Sequence, residues 1–469
     1  MSFERCCHLK SFSNIVIVHY MRISLPISIC LMLNLGLAPA VMAQTAPPLP
    51  DSLTLEQCVE YALKNQPYVQ QAGLDQEIAE RDIKINLSGW YPQLNATGNY
   101  QHYLKLPVII LPNFTDPTQP PQILRNGLKN TSNALFQADQ TLFSNTLLTA
   151  TKAKRYVRQQ SAQNIESNKI AATVDVSKAY YDILTNKQQV NILRENIARI
   201  EKQLKDATAQ YEAGIVDKTD AKRATITLSN AKADLKRTQE LLKYKYAALK
   251  ELMGYPAEAP LSLAYDSASM EREMLIDTLQ RLDYEKRIEY RQLETQKQIQ
   301  RLNVDFYKRD FLPTLTGFIN YNFVYQNNEL SKLYDQSYPN SITGISMRLP
   351  LFTGNKRIQN LRREQLEAKR LDLDVINLRN QINTQYEQAM ASYKSSLNDW
   401  YTAKDNVKLS QEVYNTIKLQ YDEGIKTYLD LMTAETDLRT TQITYLNALY
   451  GVLASKLDVQ QALGNINVN

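Results

Sequence analysis

Gln210-Tyr211-Glu212-Ala213-Gly214-Ile215 recurs as Gln420-Tyr421-Asp422-Glu423-Gly424-Ile425, 210 residues further along the chain. The match continues without a gap through Asp220/Asp430, Ala224/Ala434, Leu228/Leu438 and Gly254/Gly464. Upstream, a looser match at a spacing of 221 pairs Pro67 with Ile288, Pro92 with Pro313, Leu94 with Leu315 and Tyr100 with Tyr321, and Leu142-Phe143 agrees with Leu351-Phe352 at 209. Residues 51–254 and 272–464 therefore read as two copies of one unit. The Pro-rich stretch from Pro107 to Pro121 absorbs the change of spacing. A single duplication accounts for 469 residues better than several unrelated domains do.

Working outward from each Gly, both copies contain a very long helix. No proline lies between Pro121 and Pro256 or after Pro350, and no glycine lies from 128 to 213 or from 355 to 423. Apolar residues step by four and three along Ala172, Val176, Ala179, Ile183, Val190, Leu193, Ile197, Ile200, Leu204 and Ala207. The second copy repeats the phase through Tyr386, Ala389, Tyr393, Trp400, Ala403, Val407, Tyr414, Ile417 and Tyr421. A seam of this period predicts left-handed coiled-coil packing. It resumes after Gly214 and Gly424, which predicts a tight turn there between antiparallel helices. The 70 residues from Ser144 to Ala213 would reach about 105 Å.

Before each long helix the period changes from 3.6 to two. Ile345, Met347 and Leu349 alternate with Gly344, Ser346 and Arg348, and Ile319, Tyr321 and Phe323 alternate with Asn320 and Asn322. Phe136 and Leu142 carry a weaker version in the first copy. Strand pairs are predicted at about 94–106 with 132–142 and 315–326 with 342–352, joined by loops 107–131 and 327–340. Segments of roughly ten residues with one apolar face have the length and pattern of membrane-spanning strands. The lipid-facing positions are then Phe136, Leu142, Ile319, Tyr321, Phe323, Ile345, Met347 and Leu349.

Composition removes most other classes of function. The chain is 43% hydrophobic and 22% charged, with three histidines and four cysteines. Residues 21–43 read as a secretory signal: Met21-Arg22, an apolar run from Ile23 to Leu37, and cleavage after Ala43. Translation is expected to start at Met21, which makes residues 1–20 an extension. Without 1–43, one histidine (His102) and one cysteine (Cys58) remain, too few for a zinc cluster, a Cys–His dyad or a disulfide framework. No cofactor and no enzymatic activity are expected. The formal charge is +5, falling to about +3 without the signal, too small and too dispersed to suggest nucleic acid.

Four strands cannot close a barrel, and open strand edges are not tolerated in lipid. The chain must oligomerise: two copies would give eight strands and a filled lumen, three would give twelve and an aqueous bore. Helices far longer than a bilayer core must project out of the membrane. A barrel continued by a cylinder of helices is a duct.

The chain resembles the TolC-like outer-membrane efflux family. The residues that carry the resemblance are Leu53-Thr54-Leu55-Glu56-Gln57, Tyr61-Ala62, Asn65-Gln66-Pro67, Trp90-Tyr91-Pro92-Gln93-Leu94, Leu142-Phe143, Ala179-Tyr180-Tyr181-Asp182-Ile183-Leu184, Tyr211 with Gly214, and Leu252-Met253-Gly254, together with their echoes. They cover about 51–464. The resemblance implies a mostly α fold with a β-barrel part: a homotrimeric 12-stranded outer-membrane barrel continued by an antiparallel α-helical coiled-coil tunnel in the periplasm. It implies a Gram-negative outer membrane and contact with its lipid, with a periplasmic adaptor and with an inner-membrane RND or ABC pump. The corresponding function is a passive conduit of tripartite efflux or type I secretion. A periplasmic adaptor and a structural coiled-coil protein are the alternatives. Adaptors carry a single hairpin and coiled-coil adhesins lack strand pairs, so both fit the duplication poorly.

In the family the helix tips close like an iris. The matching positions are Gly214, Thr219 and Asp220 around the first turn and Tyr421, Gly424, Lys426 and Asp430 around the second. The implied latch joins Lys426 to Asp220 or Thr219. Lysine bonds less directionally than arginine, so a looser latch is expected. Asp430 from three chains would ring a narrow bore and bind cations. Asp220 and Asp430 can equally serve the first turns of the following helices, and Tyr421 also belongs to the seam. Tyr100, Tyr103, Tyr321, Tyr325, Trp90 and Tyr91 are candidates for an interfacial girdle, with core packing the other reading for Trp90 and Tyr91.

Overall fold

The computed structural model describes residues 52–112, 120–214, 217–264 and 267–468. The expected extension, signal and cleavage after Ala43 lie outside the described residues. The first copy contains helices α1 (Leu55–Asn65) and α2 (Pro67–Leu87), strands β1 (Gln93–His102), β2 (Val108–Leu111), β3 (Gln122–Arg125) and β4 (Asn130–Phe143), and helices α3 (Asn145–Glu212) and α4 (Lys218–Met253). A short helix α5 (Ser267–Glu273) lies in the connection. The second copy contains α6 (Ile288–Lys308), β5 (Thr314–Asn327), β6 (Asn340–Arg348), α7 (Lys356–Asp422) and α8 (Tyr428–Leu463). Among the described residues no helix is long and apolar enough to cross a membrane.

The duplication is visible residue by residue. Helices α2 and α6 have 21 residues each, and α4 and α8 have 36 each. Helix α1 begins at a capping box in which Thr54 accepts from the Gln57 N–H and Gln57 accepts from the Thr54 N–H, as the spacing predicts. Pro67 opens α2 at its first turn, where its missing N–H is not needed. Gly254 and Gly464 end α4 and α8 in the left-handed region, at φ 65° and 70°. A Cβ on Gly254 would stand 2.4 Å from the Asn65 carbonyl oxygen, and one on Gly464 would stand 2.7 Å from that of Lys286. Each copy thus ends on a glycine pressed against the backbone that leads into its own first long element.

The expected seam is buried. On α3, Ala172, Val176, Ile183, Val190, Leu193, Ile197, Ile200 and Ala207 are all buried. The largest core joins both copies, with Cys58, Val176, Tyr181, Ile183 and Leu249 from the first and Tyr393, Trp400, Val452 and Leu453 from the second. Helix α3 packs against α2, α4, α6 and α8, and α7 against α6 and α8.

The four longer strands form one antiparallel sheet in the order β1-β4-β5-β6. Two details differ from the strand limits expected from the sequence. The first strand ends at His102 rather than 106 because loop 107–131 folds part of itself into a second hairpin, β2 with β3. Leu349 lies beyond β6, which ends at Arg348 where Pro350 removes a ladder donor. It is an exposed connector residue and not a strand position.

Candidate functional site

Directly paired residues of neighbouring strands share a face, so the register sorts the sheet into two surfaces. On one, Leu94 pairs with Ala138 and Ala138 with Ile319; Ala96 pairs with Phe136 and Phe136 with Tyr321; Ala134 pairs with Phe323. Ile345 and Met347 stand opposite Gly317 and Leu315 on the same side. A Cβ on Gly317 would stand 3.7 Å from the Leu142 Cδ1, which places Leu142 on this face too. These side chains are largely exposed in a single chain, Leu94 at 79% and Ile345 at 72%.

The opposite face is mostly amides and hydroxyls, with Val324, Leu135, Ile342 and Phe318 among them. Successive rows run Gln101–Thr131–Gln326, Asn99–Asn133–Val324, Thr97–Leu135–Asn322–Asn340 and Asn95–Gln137–Asn320–Ile342. Below them come Gln93–Asp139–Phe318–Gly344, then Thr141–Thr316–Ser346, and last Thr314–Arg348. One face is apolar, the other polar, and the edges β1 and β6 are open.

At the outer end of the strands the apolar face turns aromatic. Tyr100, Ser132 and Tyr325 form one row, and the Tyr334 ring lies 5.2 Å from that of Tyr325, with its hydroxyl 3.3 Å from the Ser132 hydroxyl. Loop 328–339 therefore folds over the apolar side and away from the polar rows. His102 and Tyr100 converge on Asn130, with Nδ1 and Oη at 2.7 and 3.0 Å from its Oδ1. Trp90 sits lower, donating from Nε1 to the Thr151 hydroxyl at 3.2 Å, an inter-element bond that fits packing better than a girdle. Tyr91 is exposed.

The other candidate residues gather at the far ends of the helix pairs. Gly214 and Gly424 adopt φ 73° and 76°, open to side-chain-bearing residues only with strain, and each N–H donates to the carbonyl three residues back, Tyr211 and Tyr421, at 2.9 Å. Thr427 caps α8: its hydroxyl accepts from the Asp430 N–H at 3.2 Å and donates to Asp430 Oδ2 at 2.7 Å, while its own N–H reaches Oδ2 at 3.0 Å. These bonds hold the Asp430 carboxyl below the usual carboxylate range, with the Thr427 hydroxyl contributing most. In the first copy the cap is Asp217, whose Oδ1 accepts from both the N–H and the hydroxyl of Thr219 at 2.8 Å. Asp220 lies in the first turn of α4, 3.9 Å from Arg223.

Tyr421 packs beside Tyr414, Leu431, Ala434 and Leu438, with its ring 6.2 Å from that of Tyr428. Burial raises its hydroxyl, and the nearby Asp220 adds to the shift. Among the described residues of one chain, no hydrogen bond or ion pair joins Lys426 to Asp220 or to Thr219.

The comparisons with known proteins agree with this layout. The model of the family described as outer membrane efflux protein matches residues 58–255 and 287–465, one stretch per copy. The chain belongs to the outer membrane efflux protein family. The outer membrane protein TolC of Vibrio cholerae is 23% identical over 439 residues, covering 88% of this chain and 91% of that protein. Among solved structures, the CmeC outer membrane channel of Campylobacter jejuni superposes with a TM-score of 0.70 at 16% identity, covering 88% of this chain and 85% of that one. The MtrE outer membrane channel of Neisseria gonorrhoeae, solved in its open state, gives 0.69 at 18%, covering 87% and 88%. The protein is an outer-membrane protein of a Gram-negative bacterium and a member of an efflux-channel family.

Two features of this family member escaped the sequence reading. Asp217, and not Asp220, caps α4; the Asp217-Lys218-Thr219 spacing, with the acid two residues before the N–H it accepts, carried that signal. The second is a carboxylate buried between the copies. Glu435 on α8 is 3% exposed and accepts from Asn196 Nδ2 at 3.0 Å, Arg199 Nε at 2.9 Å and Gln203 Nε2 at 2.6 Å, all on α3. The Arg199 guanidinium also lies 5.9 Å over the Tyr414 ring of α7. No local motif announces this cluster, because its partners are more than 230 residues apart.

Proposed function

We propose that the protein is the outer-membrane duct of a tripartite efflux or type I secretion system, a passive trimer fed by a periplasmic adaptor and an inner-membrane RND or ABC pump. The observation that carries this reading is the sheet β1-β4-β5-β6, with one apolar face, one polar face and two open edges. Unpaired N–H and C=O groups in lipid cost several kcal/mol each, so β6 of one copy must pair with β1 of the next. Three copies supply twelve strands, the apolar face meets lipid, and the polar rows line water. The helices then stand in the periplasm.

Gating is assigned to the tips. Lys426 has no partner on Asp220 or Thr219 within its own chain, so the latch is assigned between neighbouring chains of the trimer. The three Asp430 carboxylates ring the narrow end and serve the α8 cap at the same time. The adaptor alternative is disfavoured by two copies of strand pair and helix pair in one chain.

Planar-bilayer conductance of the purified protein, with heat-modifiable migration of a trimer, tests the reading. Discrete channels from a species of three chains are expected. A monomer without conductance overturns it. Replacing Asp430 by Ala should weaken block by divalent and trivalent cations added from the tip side, and an unchanged block removes the acidic ring.

A further inference from the structure

The amide rows define what the barrel itself can select. Rings of one charge make a pore discriminate between cations and anions. Of the side chains that the register places on the polar face of the four strands, two are charged, Asp139 and Arg348. They are opposite in sign, and both lie towards the periplasmic end, where β4 and β6 run into α3 and α7. Asp139 accepts from Gln137 Nε2 at 2.7 Å. Beyond them, moving outward, the rows hold amides such as Asn95, Asn320 and Asn322, which offer an acceptor oxygen and a donor nitrogen on the same group. An amide can turn either pole towards a passing ion, and Asn95 and Asn99 stand exposed on this face.

We infer that the barrel bore is charge-blind: Asp139 and Arg348 offset each other at its periplasmic mouth, and the amide rows pass small ions and cargo of either sign. The inference rests on the reading of the polar face as a lumen. Ion preference of the whole duct then arises in the helical part, and the barrel imposes none on what the pump delivers.

The test is the potassium-to-chloride permeability ratio in planar bilayers under a salt gradient, with the wild-type channel as reference for everything the helices contribute. Arg348→Gln should raise the ratio about twofold, Asp139→Asn should lower it by about the same factor, and the double variant should return to the wild-type ratio. Asn322→Asp and Asn322→Lys, which place a charge among the amides, should move it in opposite directions by similar factors. Trimer migration on gels checks that each variant assembles. A double variant displaced as far as either single one, or conducting single variants that leave the ratio unmoved, overturns the inference while the channel reading stands. A wild-type protein that forms no channel removes both.

Discussion

Glu435 in the second copy accepts a hydrogen bond from Gln203 in the first at 2.6 Å, with both side chains closed off from solvent. Arg199 and Asn196 complete the clamp, so α8 is fastened to α3 by a carboxylate as well as by apolar packing. Nearby, Thr227 donates to the Met432 sulfur at 3.4 Å and Arg439 lies 3.9 Å from Asp234, so α8 is also tied to α4.

Removing that carboxylate strands a guanidinium and two amides. Glu435→Ala is expected to cost about 1–3 kcal/mol, because the buried Asn196 and Gln203 amides lose their acceptor while the half-buried Arg199 head can still reach water. Glu435→Gln, which keeps the acceptor and drops the charge, should cost less. Urea midpoints of the detergent-solubilised protein measure both, and equal midpoints for wild type and Glu435→Ala would show that the clamp contributes nothing.

The left-handed glycines that follow α3, α4, α7 and α8 separate into two classes. Gly254→Ala and Gly464→Ala should each cost more than about 2 kcal/mol, since the new methyl meets a backbone carbonyl as well as the φ penalty. Gly214→Ala and Gly424→Ala, with nothing within 4 Å, should cost only about 1 kcal/mol. The temperature at which the oligomer dissociates on gels should follow that order.

The two faces of the sheet should respond oppositely to charge. Ile345→Lys or Phe136→Lys should cost about 2–4 kcal/mol in the membrane and deplete the assembled trimer in outer-membrane fractions. Asn99→Lys, on the polar rows, should assemble normally. A normal yield of Ile345→Lys would contradict a lipid-facing position.

Acid should loosen the tips first. Asp217 and Asp430 are held below their ordinary value of 3.8 by their caps, led by the Thr219 N–H and the Thr427 hydroxyl respectively. A depressed carboxylate stabilises the fold above its unfolded value and loses that contribution as pH falls through the folded one. Pepsin cleavage near 210–220 and 420–430 should therefore rise as pH falls through 3.8 and below. Thr427→Ala should bring on the second of these cleavages at higher pH.

Alkali should act at the other end. Burial pushes the Cys58 thiol up to about 12 from 9.0, so the unfolded chain releases that proton first. Stability is then lost as pH rises from 9 towards 12. Cys58→Ser should flatten that slope, and native Cys58 should resist iodoacetamide at pH 8 until urea opens the core.

Much of this was legible because the deciding signals are periodic and occur twice. The Gly214/Gly424 turns, the seam along Ala172 to Ala207 and the alternation around Ile345 each need only local residues to be recognised. The Thr54–Gln57 box is equally local. The hairpin of β2 with β3 was missed because Pro107, Pro112, Pro120 and Pro121 around it read as loop, although Val108-Ile109-Ile110-Leu111 is β-branched and continuous. The end of β6 was misplaced because the alternation runs past Arg348 into Leu349 and Leu351, where Pro350 stops the ladder but not the pattern. The Glu435 clamp and the contents of the polar rows needed the register, which the sequence of any one strand does not contain.

Thr427 and Asp430 hold each other through three hydrogen bonds at the first turn of α8. On the proposed acidic ring, an ion taken up at Asp430 Oδ2 would compete with the two bonds that oxygen accepts from Thr427, so blocking the duct and weakening the start of α8 would be coupled.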